Sequence, residues 1–162
     1  MFNGNRLLTF TQNEESIVSA ENKFRHQKYK LMEFTKIKET CLYVSDLEQT
    51  KTFYHGRLGL EVIGEVAGRH VFFRAGASVL LCFIAKASKQ TSRLPPHYGS
   101  GQLHLAFEVE KEAYQKRKEE VQQQGIALEQ EFDWGGGFLS FYFRDPDQHL
   151  LEVVMAGMWE RS

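Results

Sequence analysis

The chain has 162 residues, 42% of them hydrophobic and 13% aromatic, enough for one compact core. Twenty basic residues stand against 21 acidic ones, a net charge of −1, which argues against a nucleic-acid surface. No apolar run reaches the roughly 18–20 residues of a membrane span, and the polar opening lacks the apolar core of a secretory signal. Cys41 and Cys82 lie in apolar strands without CxxC spacing, so a reduced, cytoplasmic protein is expected.

In chain order, residues 1–33 form a polar extension with a basic-aromatic run at 23–30 and a weak helical stripe over 14–31. A first module, 34–85, follows. Its strand at 36–44 leads into a helix that Ser45 or Asp46 caps and that stops near 56–59. Strands at 60–66, 70–74 and 78–84 come next, parted by Gly68 and by Ala75-Gly76-Ala77. A polar linker with two prolines spans 86–101. The second module, 102–157, repeats the order: strand 102–109, charged helix 111–124 ended by Gly125, strand 126–132, and a Trp134-Gly135-Gly136-Gly137 loop. Two strands at 138–144 and 150–154 close it, joined by Asp145-Pro146-Asp147-Gln148, which is turn chemistry.

The βαβββ order thus occurs twice, and residues match across the halves. Phe73-Arg74 aligns with Phe143-Arg144 and Leu80-Leu81 with Leu150-Leu151; Glu65 aligns with Glu131 and Glu39 with His104. Charged residues inside apolar strands then stand out. Glu152 sits between Leu151 and Val153, where a carboxylate is costly unless it is solvated, paired with an Arg such as Arg144, or otherwise compensated. His104, Ala106 and Glu108 share one strand face, as do Glu39, Cys41 and Tyr43. On this alignment the first-module counterpart of Glu152 is Cys82. His70, His97 and His149 fall at turns or in the linker and read as solvated.

Three stretches, ETCLYVSDLEQTKTFYHGRLGLEVIG, LHLAFEV and FYFRDPDQHLLEVV, resemble the vicinal oxygen chelate superfamily of glyoxalase I, bleomycin and fosfomycin resistance proteins and extradiol dioxygenases. The resemblance covers about 36–157. It implies an α+β fold whose two βαβββ modules form an eight-stranded cup around a divalent metal. It also implies metal ligands at Glu39, His104 and Glu152. The pattern commonly has His or Gln at the first of these. A fourth ligand slot, acidic in glyoxalase I, is Cys82 here, which packs more readily as an inert thiol.

Two carboxylates and an imidazole brought together would repel one another without a cation, and their oxygen and nitrogen donors suit Zn, Ni, Mn or Fe. Glu39 or Glu152 would then serve as base beside a substrate carbonyl. Tyr142 and Phe72 occupy one repeat slot and are read as cup walls against substrate, with plain core as the rival reading. Trp134 with its glycines is either a substrate-covering lid or an ordinary hairpin loop. The expected function is a metal-dependent lyase or isomerase of glyoxalase type, a homodimer by resemblance, acting on a small substrate with vicinal oxygens. The rivals are a ring-cleaving extradiol dioxygenase, a non-catalytic drug-binding protein of bleomycin-resistance type, and fosfomycin-type thiol transfer.

Overall fold

The computed structural model describes residues 33–90 and 93–160. The helix expected within 14–31 lies outside the described residues. The chain divides after Thr35, and all the secondary structure described belongs to the unit Lys36–Ser162.

Strand β1 (Glu39–Val44) leads into helix α1 (Leu47–Lys51), which widens into a π-helical stretch over Thr52–Arg57. Asp46 caps α1: its carboxylate accepts from the backbone N–H groups of Glu48 and Gln49 at 2.8 and 3.0 Å. Strands β2 (Glu61–Val66), β3 (His70–Ala75) and β4 (Ser78–Ile84) complete the first module. A short helix α2 (Ala85–Ser88) opens what the sequence reads as pure linker. The second module holds β5 (His104–Val109) and helix α3 (Tyr114–Gln123), entered through a 3-10 turn at Lys111–Ala113. It ends with β6 (Leu128–Asp133), β7 (Leu139–Arg144) and β8 (Leu150–Met155).

The fold is α+β, and the eight strands divide into two mixed four-stranded sheets, β1-β4-β3-β2 and β5-β8-β7-β6. In each, the first strand runs parallel to the last, as a crossover helix requires, and the others are antiparallel. The repeat extends to irregularities. Each sheet has one bulge, between Val62 and Gly64 and between Leu128 and Gln130. Each module also ties its helix to its second strand by an ion pair, Lys51–Glu65 at 3.0 Å and Lys118–Glu131 at 2.6 Å.

One apolar cluster spans both modules, with Leu42, Tyr54 and Phe73 from the first and Phe141, Phe143 and Leu151 from the second. Each such side chain contributes on the order of 1.5–3 kcal/mol by leaving water. Polar contacts fasten the modules at the turn 145–149. The buried Asp145 carboxylate accepts from Tyr54 Oη at 2.8 Å and from the N–H groups of Asp147 and His149, while Asp147 receives the Ser45 N–H at 2.9 Å. Burial, then the Asp145 charge, pushes the Tyr54 phenol well above its ordinary range, so it stays a donor. His149, expected in solvent, is 1% exposed. Its Nδ1 accepts from the Leu103 N–H at 2.9 Å and its Nε2 donates to the Tyr43 carbonyl at 3.0 Å, which locks both modules to the turn.

Candidate metal centre

Strands β5 and β8 lie side by side, with His104 opposite Leu150 and Ala106 opposite Glu152. This register sets the His104 and Glu152 side chains on the same face of the sheet, and His104 Nε2 lies 3.3 Å from Glu152 Oε2. The other ring nitrogen, Nδ1, lies 3.1 Å from the Leu150 carbonyl oxygen. A carbonyl only accepts, so Nδ1 carries the hydrogen. In the neutral ring, Nε2 then presents a lone pair to a carboxylate oxygen. Two acceptors facing each other at that distance call for a proton or a metal cation between them. A histidine that donates one ring N–H to a backbone carbonyl is oriented as a metal ligand is.

Glu152 is 6% exposed, and no Lys or Arg pairs with it among the described residues. The Arg144 alternative fails: that guanidinium holds Glu129 at 2.7 and 3.2 Å. Support for Glu152 comes instead from β7, where Tyr142 lies opposite it and donates its hydroxyl to Oε1 at 2.7 Å. Burial raises the Tyr142 phenol, the Glu152 charge raises it further and the Ser140 hydrogen bond opposes them, so the hydroxyl keeps its proton. Behind Tyr142 the relay continues. Ser140 Oγ donates to Tyr142 Oη at 3.1 Å, and Trp134 Nε1 donates to Ser140 Oγ at 2.9 Å. Every donor points toward the buried carboxylate, so the bonds reinforce one another. Trp134 therefore ends a relay as well as opening the glycine loop; Gly135, Gly136 and Gly137 all have positive φ, as a tight turn demands. Sequence reasoning missed Ser140. The available signal was its place two residues before Tyr142, a small polar residue on the same strand face.

The other expected residues lie elsewhere. Glu39 is exposed at the start of β1 in the other sheet, and no group of three or more His, Cys, Asp or Glu is placed to hold a metal among the described residues. Phe72 lies on β3, stacked on His70 at 4.1 Å between ring centres. Cys82 does not hold the slot of Glu152. Tyr142 pairs with Glu152 and its counterpart Phe72 pairs with Leu81, so Leu81 holds it. The turn from Arg144 to Leu150 is one residue longer than that from Arg74 to Val79, which shifts the alignment by one. Cys82 accordingly points into the apolar core, fully buried, and burial pushes its thiol far above the ordinary range.

Comparison with known proteins agrees with this fold. Residues 36–153 match the model of the glyoxalase/bleomycin resistance protein/dioxygenase superfamily. The chain is 30% identical to the glutathione transferase FosA of Serratia marcescens over 123 residues, 74% of this chain and 80% of that protein. The crystal structure of lactoylglutathione lyase from Agrobacterium tumefaciens superposes with a TM-score of 0.76 at 30% identity, covering 80% of this chain and all of that one. The fosfomycin resistance protein FosX of Listeria monocytogenes, solved with Mn(II) and 1S,2S-dihydroxypropylphosphonic acid, shares the fold at 23% identity and a TM-score of 0.56, over 75% of this chain and 90% of that one. No helix among the described residues is long and apolar enough to cross a membrane.

Proposed function

The chain belongs to the glyoxalase/bleomycin resistance protein/dioxygenase superfamily, and from that premise we propose that it is a metal-dependent enzyme of lyase or isomerase type. Its substrate is a small molecule that offers two adjacent oxygens. The observation that carries this reading is His104 Nε2 facing the buried Glu152 carboxylate at 3.3 Å. A divalent ion at that point would satisfy both groups and, as a Lewis acid, would polarise a substrate carbonyl. Nitrogen and oxygen donors fit Zn, Ni, Mn or Fe, and the manganese of the Listeria relative supports the set.

The protein's own residues have separable tasks. His104 and Glu152 hold the ion. Tyr142 fixes one carboxylate oxygen and leaves the other free to ligate. Glu39 is the third ligand or the base, and we assign its delivery to a second copy of the chain, since within one chain it stands on the other sheet. With Leu81 in the remaining slot, the first module adds no further acid there.

Metal analysis of chelator-free protein tests the reading. Near-stoichiometric divalent metal is expected in the wild type and its loss in Glu152→Ala; metal-free wild type after reloading attempts would sink it. Mixing metal-free Glu39→Ala with metal-free Glu152→Ala tests the shared site, since a mixed dimer regains one complete ligand set. A second reading, thiol transfer, is favoured by the FosA match. Consumption of glutathione thiol with fosfomycin as trial acceptor, against turnover of lactoylglutathione, separates the two.

A further inference from the structure

A cavity of about 600 Å³ opens where the wide end of α1 meets β6 and the closing hairpin, and none of Glu39, His104 or Glu152 lines it. Its floor includes the edges of Phe53 and Ile126, and its rim carries Arg57, Gln102 and Gln148. The volume is in the range that small-molecule sites occupy.

Three independent features meet there. The first is the helix end that presents Arg57. The Leu58 N–H reaches the Phe53 carbonyl at 3.0 Å and the Leu60 N–H reaches Tyr54 at 2.9 Å, a wide turn of the kind found at functional sites more often than elsewhere. The second is charge. Arg144 in the wall has its charge matched by the Glu129 carboxylate and also donates to the Gln148 carbonyl, whereas Arg57 has no hydrogen-bond or ion-pair partner among the described residues. The cavity therefore keeps one uncompensated positive charge. The third is backbone strain. Gln148 has φ +66°, alone among the described non-glycine residues, in a region that favours glycine. A glutamine held in that region is conformationally costly, and such positions cluster where a side chain is needed. The side-chain amides of Gln148 and Gln102 have no partner among the described residues, so both are free to meet a ligand.

We propose that this cavity binds a small organic monocarboxylate with an apolar body. The planar fork of Arg57 matches a carboxylate, the two amides add donors, and Phe53 and Ile126 receive the apolar part. The single net charge selects a monoanion, because a dianion would also meet the Glu129 carboxylate in the wall.

The test uses the metal-free full chain, with phenylacetate as probe and phenethyl alcohol as its neutral counterpart, read by saturation-transfer NMR titration. Phenylacetate is expected to bind in the millimolar range and the alcohol about tenfold more weakly, the fold-change of one charge-assisted contact. Arg57→Gln should bring the acid down to the level of the alcohol, and Gln148→Gly should weaken it by about threefold, one lost neutral hydrogen bond. Glu152→Ala should leave binding unchanged. Equal binding of acid and alcohol, undiminished binding to both cavity variants, or loss of binding in Glu152→Ala, which would place the probe at the metal residues, each overturns the proposal.

Discussion

The two modules share their strand order, their bulges and their helix-to-strand ion pairs, yet the sheet faces turned away from the shared core have opposite chemistry. In the second, Glu152 lies between His104 and Tyr142. In the first, Leu81 pairs with Phe72, which packs in a mutual cluster with the rings of His70 and Phe83, at 4.1 and 5.3 Å. Among the described residues, the one buried side-chain polar atom without a partner is His70 Nδ1, on this face. Desolvation, then the nearby Arg69, lowers the His70 pKa and keeps the ring neutral. Features that hold up the scaffold are duplicated because both sheets need them. A buried carboxylate is costly, and on these faces it appears only in the copy that gives it a donor, the Tyr142 hydroxyl.

Exchanging the residues of that slot should have unequal consequences. Leu81→Glu sets a carboxylate opposite Phe72, which has no hydroxyl to donate where Tyr142 has one, and should destabilise the protein by about 2 kcal/mol. Glu152→Leu removes a carboxylate that has no Lys or Arg partner among the described residues but strands the Tyr142 hydroxyl, so metal-free stability should move by no more than about 1 kcal/mol. Urea unfolding of metal-free protein measures both. Equal losses would break the contrast between the sheets. The neighbouring slot gives a smaller contrast. Tyr142→Phe deletes the donor that orients Glu152 and should weaken metal binding by about tenfold, as loss of a ligand's supporting hydrogen bond does. Phe72→Tyr adds a hydroxyl to the sheet without ligands and should leave metal affinity unchanged. Competition against a chromophoric chelator reads the pair.

Much of this contrast was legible in the residues. Alternating apolar positions and glycine turns marked all eight strands, and Asp46 marked the start of α1 as a cap does. Charges within apolar strands singled out His104 and Glu152. What stayed hidden depends on register and on distant contacts. Matching Leu80-Leu81 to Leu150-Leu151 looks natural by identity, but the closing turn is one residue longer, and a shift of one moves a side chain to the other face. That is why Cys82 took the place of Leu81 in the alignment. His149 reads as a solvated turn residue because its partners, Leu103 and Tyr43, are 46 and 106 positions away. Helix α2, four residues long, is too short to show a period. Ser140 gave only a weak signal, since nothing local shows that it links Trp134 to Tyr142.

The turns that close the two sheets offer the smallest and most direct contrast. In the first, Gly76 takes φ +55°, and a Cβ added there would meet no atom within 4 Å. Gly76→Ala therefore costs only the backbone preference, about 1 kcal/mol. In the second, Gln148 takes φ +66°, so glycine relieves the same preference. The gain is of similar size, under about 1 kcal/mol, because the extra freedom of glycine in the unfolded chain offsets the backbone preference in both exchanges. The hydrogen bond from Arg144 to residue 148 survives, since it ends on the backbone carbonyl. Thermal unfolding should thus move down for Gly76→Ala and up for Gln148→Gly. Should Gln148→Gly lower the midpoint instead, the glutamine side chain would be stabilising the turn itself, and its strain would owe nothing to the cavity beside it.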